Sequence, residues 1–154
     1  MYRHEQRSRA VPLVNVALAV LLLGIGLMDR AVLPLMLPVA ALLAWIGWHF
    51  RRLTVEVSGG ELRAWFAGGW PRYAWPLARI HTVRTVTNPW WYGIGIRFTP
   101  RGMLYNVAGG PGIEFRLKSG ATFRLGSDEP EALADAIRSA AGVKAPERTH
   151  ALTH

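Results

Sequence analysis

The sequence predicts an α+β membrane protein: an N-terminal transmembrane helical hairpin, then an antiparallel β-barrel or sandwich capped by a C-terminal helix. Three observations carry that prediction. Two uninterrupted apolar runs fill residues 11–50, the periodicity switches to strict alternation after Arg52, and one amphipathic helical stretch follows Gly126.

Composition bounds the alternatives. A chain of 154 residues has room for one ordinary domain and a membrane element. The absence of cysteine excludes disulfide frameworks, thiolate metal sites and cysteine nucleophiles. Eighteen basic against ten acidic side chains give a net charge of +8. Nucleic-acid binding would gather those cations on one helix or groove with stacking aromatics, which the sequence does not do. An anionic membrane surface accounts for the excess, so the bilayer is an expected partner and nucleic acid is not.

Residues 1–10 read as a cytoplasmic basic tail with Arg3, Arg7 and Arg9. From Val11 to Met28 no side chain is charged and only Asn15 is strongly polar. Asp29 and Arg30 interrupt, and Ala31 to Phe50 is again uncharged. Each run meets the length of about 20 residues that a membrane span needs. A signal peptide would end in a small-x-small site, whereas the first run ends in Leu27-Met28-Asp29-Arg30, so the helix is expected to be retained. The arginines flank the outer ends of the pair, placing both termini in the cytoplasm and Trp45, Trp48 and His49 near the headgroups. Gly24 and Gly26 offer helix contact without GxxxG spacing. A single Asn makes no transport path, so the hairpin reads as an anchor.

The β domain with its helix is expected over residues 51–142. Leu53-Thr54-Val55-Glu56-Val57 alternates, Ser58-Gly59-Gly60 turns, and Glu61 to Phe66 answers as the second arm of a hairpin. Further strands follow at 72–75, 80–86, 95–98, 103–107, 113–117 and 121–125, with Gly109 to Gly112 as a hairpin loop. Ser127 or Asp128 is the expected N-cap of a helix with Pro130 in its first turn, apolar positions Leu133, Ala136, Ile137 and Ala140, and Gly142 as its stop. Residues 143–154 read as a disordered tail.

Catalytic constellations fail in turn. His81 stands alone in the domain, and His150 and His154 sit in the tail. Asp128, Glu129 and Glu131 suit the positive end of the helix dipole, and no metal, triad or phosphate-loop motif appears, so neither enzyme activity nor a cofactor is expected. Two features are candidate lipid or partner contacts. One is the aromatic run Trp90-Trp91-Tyr92, which packs over the core or docks on headgroups or a protein. The other is the arginine set Arg72, Arg79, Arg84 and Arg97, with Arg51 and Arg52 at the helix exit.

Three stretches carry a resemblance: Trp75-Pro76-Leu77-Ala78-Arg79-Ile80, Trp91-Tyr92-Gly93-Ile94-Gly95-Ile96-Arg97, and Gly126-Ser127-Asp128-Glu129-Pro130-Glu131-Ala132-Leu133. Behind a two-helix anchor, residues 53–141 resemble the bacterial pleckstrin-homology-like (PH-like) membrane proteins. The resemblance implies a seven-stranded bent barrel capped by the helix, at the inner membrane of a bacterium. It does not imply phosphoinositide binding, because the first hairpin loop carries no cation. The function expected is non-enzymatic: binding a protein partner, or self-assembly, at the inner face of the membrane. The alternative is a sensor of anionic headgroups or a small ligand.

Overall fold

The computed structural model describes residues 1–92 and 94–144, with the backbone alone at Trp90. His150, His154 and most of the expected tail lie outside the described residues.

The first element corrects the reading of residues 1–10 as a tail. Tyr2–Arg7 forms strand β1, which precedes helices α1 (Ala10–Met28) and α2 (Leu33–His49). The chain returns from α2 directly into β2 (Arg52–Ser58), and β1 and β2 pair antiparallel from Tyr2↔Val57 to Arg7↔Arg52. The helix pair is thus an insertion in a β-hairpin, and it enters and leaves the sheet at one end.

The two helices pack side by side with large apolar side chains pointing away from protein. Leu13, Val20, Leu21 and Leu27 of α1, and Leu35 and Leu42 of α2, are all exposed. Among the described residues only α1, at 19 residues, is long and apolar enough to count as a membrane span. α2 has 17 residues and falls short of the length expected from the run 31–50. The shortfall comes from its ends: Asp29 closes a turn by accepting the Ala31 and Val32 N–H groups, and Phe50 and Arg51 turn into β2. Pro34 occupies the first turn of α2, and Pro38 lies inside it.

β2 is followed by β3 (Glu61–Phe66) and β4 (Arg72–Pro76), completing a four-stranded antiparallel sheet in the order β1-β2-β3-β4. Gly59 and Gly60, both at positive φ, supply the β2–β3 turn, as the sequence leads one to expect. A 3₁₀ turn at Leu77–Arg79 leads to the second sheet, built from β5 (Ile80–Asn88), β6 (Gly95–Thr99), β7 (Gly102–Asn106), β8 (Gly110–Leu117) and β9 (Thr122–Gly126). Its order is β5-β8-β9-β7-β6. The expected all-antiparallel arrangement fails at one place, because β7 pairs parallel with β9. Strands β5, β8 and β9 form an antiparallel meander, and the β6–β7 hairpin, inserted between β5 and β8, adds to its free edge. Gly110 to Gly112, expected in a loop, open β8.

The core lies between the sheets. Leu53, Val55, Leu62, Phe66 and Trp75 of the first meet Val83, Ile113, Phe115 and Leu125 of the second. Helix α3 (Pro130–Ala141) closes the end with Leu133, Ala134 and Ile137, all fully buried, so Ala134 replaces the expected Ala140 on its inner face. The helix begins one residue later than expected. Ser127 Oγ accepts the Glu129 N–H instead of capping deeper, and Asp128 accepts a 2.5 Å hydrogen bond from the His4 ring, tying β1 to the start of α3. Gly142, in the left-handed conformation, ends it.

Candidate functional site

The most distinctive surface lies where the helix pair meets the first sheet. Ser8 links the two: its N–H donates to Arg51 O at 2.8 Å, and its hydroxyl accepts the Val11 N–H, one of the free donors at the start of α1. This closure sets Arg7 and Arg52 directly opposite each other at the end of the β1–β2 ladder. Like charges so placed repel, and Glu5 offsets them, with Oε2 3.4 Å from Arg52 and 3.5 Å from Arg7. The same carboxylate lies 3.7 Å from Arg3. Arg9 has no ion-pair partner among the described residues, and the Arg51 guanidinium lies 5.3 Å from the centre of the Trp48 ring.

Arg7, Arg9, Arg51 and Arg52 line a crevice of about 770 Å³ whose other wall is Pro12, Leu13 and Val16 of α1. On the opposite flank of α1 lies a second, mainly apolar crevice of about 420 Å³, between Val14, Ile46, Phe50 and Ile96, with Arg97 in its lining. Asn15 also borders it, but its amide already donates to Val11 O within the same helix.

Aromatic packing fixes the hairpin to the domain. His49 is buried, its ring 5.0 Å from those of both Trp45 and Phe50, and Phe50 packs edge-on against Phe66 at 4.8 Å. The Ala67 N–H donates to His49 O, which brings the β3–β4 turn to the end of α2. That turn carries Trp70, 70% exposed, and Arg72 closes it by donating to Gly69 O. Trp45, Trp48 and Trp70 therefore gather at the hairpin end of the domain.

The other predicted contact residues divide. Arg51, Arg52, Arg72 and Arg97 lie on elements at the hairpin end, whereas Arg79 lines a separate crevice with Lys118. Arg84 is engaged on the outer face of the five-stranded sheet, where it donates to Glu114 at 2.8 Å. Glu114 also receives Arg124, which is 2% exposed and donates in addition to Asn88 Oδ1. Burial alone pushes the Glu114 carboxyl up, but hydrogen bonds from Arg124 and Arg84, reinforced by their charges, hold it below its ordinary value. Trp90–Tyr92 forms one 3₁₀ turn, with the Tyr92 ring 6.0 Å from the Arg124 guanidinium and Trp91 67% exposed. His81 is exposed beside the bulge between Ile80 and Thr82. Among the described residues, no three His, Asp or Glu side chains gather as metal ligands.

Arg7 and Arg9 are the site residues that sequence reading uses only to orient the hairpin. The signal that finds them is the symmetry of the flanks, basic residues immediately before the first helix and immediately after the second. No protein-family model matches the chain, and no curated protein is significantly similar to it.

Proposed function

We propose that the chain is a membrane-anchored, non-enzymatic module whose β domain is held at the inner face of a bacterial membrane to engage a protein partner or a second copy of itself. One observation carries the reading: β1 and β2 pair on either side of the helix pair, so the domain is joined to its anchor by two hydrogen-bonded strands instead of a linker. Cleavage after α1, as in a signal peptide, would remove an edge strand of the sheet. The exposed apolar faces of both helices suit hydrocarbon. α2, at about 26 Å, is at the short end for a span, and with the Asp29–Val32 turn it lets the pair cross together. The PH-like resemblance gains support from the topology. Setting aside the β6–β7 hairpin leaves four strands, a three-stranded meander and a terminal helix, the seven-strand-plus-helix pattern that the resemblance implies.

The test uses the absence of native cysteine. Arg30→Cys and Ser119→Cys, introduced singly, are labelled in sealed vesicles with a membrane-impermeant maleimide. Labelling from opposite faces is the expected result, and labelling of both from one face overturns the two-span anchor. For the partner, mild-detergent extracts should give the chain in a complex larger than a monomer; a monomer in every detergent counts against the interaction reading. A second reading, recognition of anionic headgroups, is favoured by the gathering of Arg51, Arg52 and Arg97 at the hairpin end.

A further inference from the structure

We infer that the crevice at the foot of the hairpin binds the phosphodiester headgroup of an anionic phospholipid, with Arg9 and Arg51 as its principal cations. The inference rests on the reading that the helix pair lies in a bilayer. Two chain segments more than forty residues apart deliver four guanidinium groups to one crevice, and among the described residues the only carboxylate in ion-pair range of them, Glu5, is shared among Arg3, Arg7 and Arg52. The crevice therefore keeps a net positive charge. Arg9 is unpaired among the described residues, and Arg51 lies over Trp48 without a side-chain hydrogen bond or ion pair among them, so the N–H donors of both are open to a ligand. Arg52 adds a buried Nε–H without a hydrogen-bond partner among the described residues. Planar forks of N–H donors match the paired oxygens of a phosphodiester.

The opposite wall decides between sources of phosphate. Pro12, Leu13 and Val16 offer no hydrogen bonds, and Leu13 is 71% exposed. A free phosphate ion would leave that wall unused. A phospholipid covers both walls, phosphate on the arginines and acyl chain along α1. The depth agrees as well, since Arg9 immediately precedes the helix and the crevice opens where headgroups sit.

The experiment uses the full chain in bilayer nanodiscs of phosphatidylcholine doped with phosphatidylglycerol, and counts retained lipids by native mass spectrometry. The wild type should retain phosphatidylglycerol in preference to phosphatidylcholine. R9Q/R51Q, which breaks no ion pair, should lose about tenfold in that preference, and R9K/R51K should keep part of it. R79Q/R116Q, which changes the same number of exposed arginines elsewhere, should be unaffected. Equal retention by R9Q/R51Q, or equal loss in R79Q/R116Q, overturns the site. Displacement of the lipid by excess inorganic phosphate would assign the crevice to a free anion and overturn the lipid. Alkaline extraction of vesicles separates the two levels. A chain released by it overturns the bilayer reading itself, whereas a chain that stays but shows no lipid preference overturns this inference alone.

Discussion

Glu114 sits between Arg84 and Arg124 in a cross-strand row, and the buried Arg124 depends on it for charge compensation. Glu114→Gln should cost about 3–5 kcal/mol, the range for removing one partner of a buried ion pair, measured by chemical denaturation. The pH dependence has a definite sign. Because the folded carboxyl titrates below its ordinary value near 4.5, its contribution is complete above that pH and is lost as pH falls below it. The wild type should lose stability on acidification from about pH 4.5 downward, and Glu114→Gln should flatten that loss. A slope unchanged by the substitution would place the acid sensitivity elsewhere. Only half of this row was within reach of the sequence. Glu114 and Arg124 lie on the adjacent expected strands 113–117 and 121–125, but Arg84 comes from a strand that the sequence does not pair with them, and alternation marks each as outward-facing, which ordinarily means solvent. Arg124 is buried because the Asn88–Tyr92 segment folds back beside it. Asn15, the one strongly polar side chain legible in the first apolar run, donates its amide to Val11 O one turn back in the same helix.

At the scale of elements, periodicity located eight of the nine strands, and β1 shows why the ninth escaped. Tyr2–Arg7 holds four charged or amide side chains and no β-branched residue, and its partner strand arrives more than forty residues later. Pairing, not propensity, makes it a strand. Removing residues 2–7 turns β2 into an edge, so the amides of Leu53 to Val57 that face β1 should exchange with deuterium at least about tenfold faster, while those of β8 change little. The hairpin contact was legible in kind but not in place. A Cβ at Gly24 would meet nothing within 4 Å, one at Gly26 would meet Leu33 and Met36, and Gly47, unremarked in the sequence, marks a second close approach of the helices, near the domain. A Cβ at Gly47 would stand 2.9 Å from the Asn15 Cβ and 3.3 Å from the Pro12 Cα. Gly47→Leu should therefore force the helix bases apart at a cost of about 1–3 kcal/mol, read as a lower melting temperature in detergent.

For the whole molecule, the fold class was readable because its two halves obey different periodicities, while the boundary between them was not. A cut at residue 51 leaves out β1 and uncovers β2. Replacing residues 9–50 with a short turn, to join Ser8 to Arg51 across an existing 2.8 Å hydrogen bond, keeps every strand. That chain should be soluble without detergent and unfold cooperatively, whereas the fragment 51–154 should melt lower or aggregate. Gel filtration and thermal circular dichroism compare them directly, and equal melting temperatures would show that β1 adds nothing to the domain.

The insertion of the helix pair inside a β-hairpin also dictates an order of events during synthesis. β1 leaves the ribosome first and has no partner until β2 follows, more than forty residues later. Left as a flexible loop, that intervening chain would resist bringing its ends together, because closure entropy rises with loop length. The helices remove this obstacle by local contacts alone, since α1 and α2 fold back on each other across the Asp29–Val32 turn before any β2 residue is needed. Once they do, Ser8 and Arg51 arrive side by side and the ladder zips from Arg7↔Arg52 toward Tyr2↔Val57. The helix pair is then the template on which the first sheet is nucleated, and its packing precedes completion of the domain it carries.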